Sequence, residues 1–530
     1  MERLKAFFSF IRRWVTRIGV LLVVTIIVGG AYTLYRVNID NAEAFDDPVM
    51  HFKYGSTGGD RNFGIPTAIW HALQVLFADM LPEDRAYDDW SAFGFIYEMD
   101  ENGERRDRPA GTSQRNHMGI DRIFLNCGGC HVGSVRASAD SAPKIITGMP
   151  SNTVDLQGFQ DFLINAALDE RFTPKNILAQ IDLMEDVELD LINRLVLKFY
   201  GVNALRERAL VFRTRFRFAD WQPVYGPGRF DTFSPAKALL NWPLDEIPEH
   251  ERIGVVDFPS VWMQRPRDGM QLHWDGNNTK LAERNRSASF GTGALPPILD
   301  RPSIERMEEY LMDVEPPSFR EMFPDDFDEG LAAYGEPIYA DHCASCHGAS
   351  GRDFTGKYVG LVTPIEEIGT DRSRFDNYTY DLSVNQNVLY AEFGDERFQN
   401  FRKTDGYANM PLDGVWLRAP YLHNGSVPTL WDLLLPADER PTAFFRGYDV
   451  IDTVNVGFVS DPDDIPLEEQ SGLFCFQTKL STRAGCRGPQ SKAFVCTAEA
   501  CKGNANTGHE YGVSLSTNDK RALIEFLKTF

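Results

Sequence analysis

The chain holds 530 residues, 43% hydrophobic and 25% charged, a globular composition that excludes a disordered, collagenous or multi-span membrane protein. Its 76 Asp and Glu against 54 Lys and Arg leave a formal charge of −22. So acidic a surface repels phosphate backbones and argues against a nucleic-acid partner. Residues 18–35 carry no charge and are rich in Val, Ile and Leu, close to the minimum for a helix that crosses a bilayer. Lys5, Arg12, Arg13 and Arg17 precede this run. Positive charge on that side keeps residues 1–17 in the cytoplasm and exports the rest. The expectation is a single-pass anchor over residues 18–36 in a bacterial inner membrane, with the remaining chain in the periplasm. A cleaved signal peptide, with Gly29-Gly30-Ala31 as its small-residue site, is the alternative, although the apolar run exceeds the usual signal core.

After the anchor, residues 37–60 read as a polar linker holding Gly55, Gly58 and Gly59. A first unit, residues 61–315, follows. Residues 118–126 read as a short helical approach to Cys127. Residues 157–167 and 174–199 carry apolar side chains at three- and four-residue spacing, such as Ile177, Leu178, Ile181 and Met184, and predict helices. Thr173 before Pro174 is a helix start. No run of alternating strand pattern stands out. Residues 220–300 are rich in Gly, Pro, Asn and Trp and read as irregular loops.

The second unit, residues 316–530, opens near Pro316-Pro317. Residues 326–342 place Leu331, Tyr334, Ile338 and Tyr339 on one helical face and lead straight into Cys343. The chain closes on a helix over 516–530. Ser516 caps it, Asp519 complements its positive end, and Leu523, Phe526 and Leu527 form the buried stripe.

Four of the eight cysteines fall in two Cys-x-x-Cys-His strings, Cys127-Gly128-Gly129-Cys130-His131 and Cys343-Ala344-Ser345-Cys346-His347. Two thiols three residues apart reach the two vinyl groups of one porphyrin edge, and the adjacent His supplies an axial imidazole; this spacing attaches a c-type haem. A zinc site wants four ligands, and no second Cys pair of suitable spacing lies near either string. A thioredoxin-like pair has no need of the His. The cofactors expected are therefore two covalent haems. The fold class that follows is mainly α: two cytochrome c-like haem domains with long irregular loops, behind one N-terminal transmembrane helix. Cys475, Cys486, Cys496 and Cys501 lie in a loop, residues 470–506. In an oxidising compartment they are expected to form two disulfides in one of three connectivities.

The sixth iron ligand decides the chemistry: a strong one makes an electron-transfer haem, an open position admits dioxygen or peroxide. For the second haem the candidates are His509, His423 and Met410. For the first it is His273, in Gln271-Leu272-His273-Trp274-Asp275-Gly276.

The two strings resemble the di-haem cytochrome c peroxidase and MauG superfamily, and residues 411–430, with Tyr421-Leu422-His423-Asn424-Gly425, look more narrowly like its rubber-oxygenase-like branch. Gly226-Pro227-Gly228-Arg229-Phe230, the segment around His273 and the Gly508-His509 ending are similar to the same branch. The resemblance covers most of residues 60–530. It implies a reactive N-terminal haem on His131 and a bis-histidine C-terminal haem on His347 and His509 that stores or relays electrons. It implies an inter-haem Trp274, apolar shelter at the first haem from a residue such as Phe290, and a calcium ion whose ligands are not assigned. Members of the branch cleave olefinic carbon–carbon bonds with dioxygen. His273 is a departure, since an aromatic apolar residue is expected there. An imidazole can ligate the iron, act as acid–base group on a peroxide, or only bond backbone. Three functions follow as expectations: oxygenation of an unsaturated lipid or hydrocarbon, reduction of hydrogen peroxide, or electron transfer within a membrane complex. The acidic surface suits a small redox protein such as a basic cytochrome as electron partner.

Overall fold

The computed structural model describes residues 1–82, 89–389, 391–479 and 500–530. It opens on helix α1, Glu2–Val37, which is exposed along its length until Arg36. Among the described residues this is the one helix long and apolar enough to cross a membrane, a test that a signal sequence also passes. Arg36 ties its end to the globular body. The guanidinium donates to the carbonyls of Met118 at 3.1 Å and Gly119 at 2.8 Å and to Asn193 Oδ1 at 2.6 Å.

Residues 37–60 are not a free linker. Strand β1, Asp40–Ala42, joins an antiparallel sheet of order β1-β3-β4-β2, with β2 at Ile65–Pro66, β3 at Thr112–His117 and β4 at Ile120–Leu125. Helix α2, Pro48–Tyr54, is capped by Asp47 and buries His51, Phe52, Lys53 and Tyr54. Polarity misleads here because its charges are paired inside: Lys53 Nζ bonds Glu98 at 2.5 Å. The predicted helical approach over 118–126 is likewise a strand. Residues Thr112 to His117 pair with Leu125 to Ile120 across a turn at Met118 and Gly119. Alternation is hidden because β3 buries polar groups: Arg115, 2% exposed, bonds the buried Asp60 at 2.8 Å.

The predicted helices form where periodicity places them. Leu156–Leu168 starts on the Asp155 cap, and Pro174–Ile181 on the Thr173 side chain accepting from Asn176 N–H. With Trp70, Trp90 and Phe93 they build the first core, where Trp90 meets Phe159 edge-on at 5.2 Å. The helix predicted through 199 breaks after Ile181 and resumes at Leu191–Val196.

In the second half, helix α3, Glu329–His342, crosses helix α4, Thr517–Leu527. Gly335 permits the contact, since a Cβ there would lie 2.0 Å from the Ala522 carbonyl oxygen. Tyr339, Leu523 and Leu527 form the second core with Trp416. That core also takes Val135, Ile146, Met149 and Trp262 from the first half. One apolar interior therefore runs across the predicted boundary at 315.

Candidate functional site

The first Cys string follows β4 directly. Asn126 pins it: its amide donates to the carbonyls of Lys53 at 3.1 Å and Gly55 at 2.8 Å, while its Oδ1 accepts from Gly128 N–H at 2.8 Å. Gly111 packs against the string so closely that a Cβ would lie 2.4 Å from Gly129 N. His131 donates from Nδ1 to the Pro259 carbonyl at 3.0 Å. That bond fixes the tautomer and leaves Nε2 as the electron-pair donor, the usual arrangement of a metal-binding imidazole. Burial, then the Arg284 charge, hold His131 neutral by pulling it down to about 4. Burial pushes the Cys127 and Cys130 thiols up to about 11 and about 12.

The second string ends α3. His347 donates from Nδ1 to the Met410 carbonyl at 2.7 Å, the same device as at His131. His509 faces it, with ring centres 6.1 Å apart. Two metal–imidazole bonds of about 2.0 Å, each with about 1 Å more to the ring centre, place a pair of axial imidazoles about 6 Å apart. The spacing fits one iron between the rings. Burial, with His347 next in weight, draws His509 down to about 3, so both imidazoles are neutral, as ligands must be. The loop carrying His509 is held by Arg440, which donates to the carbonyls of Asn506 at 2.6 Å and Gly508 at 2.9 Å.

The other two candidates for the sixth position lie elsewhere. Met410 supplies its carbonyl to the outer nitrogen of His347, which puts it behind the proximal ring. His423 stacks on Tyr407 at 4.1 Å, and its carbonyl accepts from Asp257 N–H at 2.9 Å. This places it between the two strings instead of against His347.

Trp274 sits in the same interval. Its indole N–H donates to the Asp257 carbonyl at 2.9 Å. Its own carbonyl accepts from Ala408 N–H at 2.8 Å. Asp257 is two residues from Pro259, which holds His131, and Ala408 is two residues from Met410, which holds His347. Backbone and hydrogen bonds thus run from one proximal His to the other through Trp274.

His273 is half-buried with its Nε2 enclosed and unpartnered, and desolvation and then Arg284 depress its pKa far below the usual value. Phe401 lies 6.5 Å from its ring and packs with Phe398, Phe290 and Leu389. Arg284 shares its electrostatic surroundings with Cys127, His131 and His273, and its Nε lacks a partner. Nothing in the spacing of the sequence singles out Arg284. A half-buried guanidinium and an unpartnered imidazole nitrogen beside the first string are what an anionic porphyrin would satisfy.

Cys127, Cys130, Cys343 and Cys346 are free. Cys475 and Cys501 are buried, and Cys486 and Cys496 lie outside the described residues. Among the described residues no cluster of three or more His, Cys, Asp or Glu marks a further metal site.

The two strings thus carry the donor set of a c-type haem protein. Residues 406–445, which include Met410 and His423, match the family model "RoxA-like, cytochrome c-like". Two curated proteins of Sinorhizobium fredii (strain NBRC 101917 / NGR234) are similar. Uncharacterized protein y4iM is 32% identical over 251 residues, 43% of this chain and 54% of the relative. Uncharacterized protein y4iJ is 27% identical over 499 residues, 77% of each chain. The chain thus spans about half the length of the first relative and about three quarters of the second.

Proposed function

We propose that this chain is a membrane-anchored, periplasmic di-haem c-type oxidoreductase that oxygenates an unsaturated lipid or hydrocarbon at its N-terminal haem. The observation that carries the substrate class is the aromatic wall of Phe290, Phe398 and Phe401 beside His273, which favours an apolar chain and excludes water. In this reading Cys127, Cys130 and His131 would hold the first haem, and Cys343, Cys346, His347 and His509 would hold the second. The haems supply dioxygen activation at the first position and electron storage at the second. The protein supplies the rest. Pro259 and Met410 fix the proximal tautomers, Arg284 offers positive charge to a buried anion, and Trp274 bridges the two ligand shells. Addition of both dioxygen atoms across a carbon–carbon double bond gives two carbonyl groups with no net reductant. Two disulfides among Cys475, Cys486, Cys496 and Cys501 staple the loop 470–506, and a small redox protein is the electron partner.

A second reading is reduction of hydrogen peroxide. It draws on His273 and Arg284, two polar groups in the same pocket able to move a proton and steady negative charge. Paramagnetic resonance and optical spectra, as isolated and reduced, with carbon monoxide and with peroxide, decide between these uses. One high-spin haem that binds carbon monoxide, with oxygen uptake on an unsaturated fatty acid, supports the oxygenase. Turnover of peroxide with a reduced cytochrome and no oxygen uptake supports the second reading. Two low-spin haems inert to both ligands in every redox state would leave an electron carrier.

A further inference from the structure

The chain carries a charge of −22, yet residues 191–217 hold seven basic side chains and one acid, Glu207. This stretch is helical almost throughout: Leu191–Val196, a π-helical turn Leu197–Gly201, and Val202–Arg215. Its inner side enters the first core through the buried Leu197 and Val202. Its outer side is apolar. Leu191 is 71% exposed, Leu195 43% and Phe199 71%, and their four-residue spacing sets them in one row. Ile192 and Tyr200 extend the row, and Lys198 stands exposed beside it.

The position of this row is fixed relative to α1. Arg36, the last charged residue of α1, bonds Asn193 at 2.6 Å. The row therefore starts where the apolar helix ends. Met118, 41% exposed, lies at the same level, because Arg36 also bonds its carbonyl. Tyr32 and Tyr35 stand at that end of α1, the depth at which aromatic residues gather in membrane proteins. Together with Arg36 and Asn193 they line a cleft of about 590 Å³.

We infer that residues 191–217 are a second membrane-contact element, lying in the outer face of the bilayer that α1 spans. Leu191, Leu195 and Phe199 dip among the acyl chains, and the exposed Lys198 and Arg215 meet anionic lipid phosphates, while Arg194, Arg213 and Arg217 pair with Asp182, Asp220 and Asp245 of the body. An apolar row flanked by Lys and Arg is the composition of an interfacial helix, and basic clusters near a bilayer are drawn to its negative surface. The inference rests on α1 as an uncleaved transmembrane helix. It adds that the catalytic body lies on the membrane in one fixed orientation instead of swinging on a tether.

The test uses the full haem-loaded chain in nanodiscs of phosphatidylethanolamine and phosphatidylglycerol. The photoreactive residue p-benzoylphenylalanine replaces Phe199, or Leu22 inside α1, or Tyr380, which is 70% exposed on the second half. After irradiation, peptides are read for lipid adducts by mass spectrometry. Lipid adducts at positions 22 and 199 but not at 380 are expected. An adduct at 22 with none at 199 overturns the inference and spares the anchor. No adduct at either position removes the anchor reading and the inference with it. A crosslink from 199 to a second copy of the chain overturns it in favour of a protein interface.

Discussion

His509 shows how much one residue can carry. Its loop sits in left-handed backbone at both Gly508 and His509, and a Cβ on Gly508 would lie 2.3 Å from the Gly369 backbone. The loop is thus pinned where the imidazole meets His347. In the proposed di-haem reading, His509→Ala removes one of two facing imidazoles without touching Cys343 or Cys346. The second haem is expected to stay attached and to change from low-spin to high-spin, read by paramagnetic resonance. A second haem that stays low-spin in this variant would give the ligand role to another side chain. The spacing of the sequence leaves His509, His423 and Met410 as candidates opposite His347, because it says nothing about which loop folds back, and only the resemblance favours His509. In the structure His509 faces His347, the Met410 carbonyl accepts from His347 Nδ1, and His423 packs on Tyr407. Arg284 was illegible altogether, because a single Arg on a short helix has no pattern until folding brings Cys127 and His273 around it.

Among elements, the helices were readable and the strands were not. Apolar spacing of three and four marks Pro174–Ile181, Glu329–His342 and Thr517–Leu527, and their caps are local side chains. The sheet is hidden because β3 buries Thr112, Ser113 and Arg115, the last paired with Asp60, so the period of two never shows as hydrophobicity. The crossing of α3 and α4 depends on Gly335. Gly335→Val forces two backbones apart in a packed core, and overpacking of this kind costs about 1–3 kcal/mol. A lower thermal midpoint with both haems retained is expected; an unchanged midpoint would mean the helices meet elsewhere. Trp274 belongs to the segment that links the two strings. Trp274→Phe keeps the ring but loses the bond to Asp257. Electron exchange between the haems should slow severalfold in flash-photolysis experiments, with both cofactors in place. An unchanged rate would take Trp274 off the path.

For the molecule as a whole, the sequence suggests two separate haem units, but the second core is built from both halves, and Asp257 of the first bonds Arg446 of the second at 2.8 Å with both side chains buried. A boundary at 315 is invisible to such contacts because each half looks adequate alone in periodicity and composition. The same connectivity relates the first string to the membrane. Gly119 is held by Arg36 at the end of α1, and β4 runs from there towards Cys127. At about 3.4 Å per residue, the stretch from Gly119 to Cys127 keeps the string within about 27 Å of the end of α1. Arg36 is the fastening. In Arg36→Ala the apolar run of α1 is intact, so the chain should remain in the membrane fraction. Four hydrogen bonds to the body are lost, at about 1 kcal/mol or more each where they are shielded from water. Hydrogen exchange at Met118, Gly119 and residues 191–196 should rise severalfold in nanodiscs, while the α3–α4 crossing stays protected. Exchange that does not change at these residues would show that the body is held by other contacts and that Arg36 only covers the end of its helix.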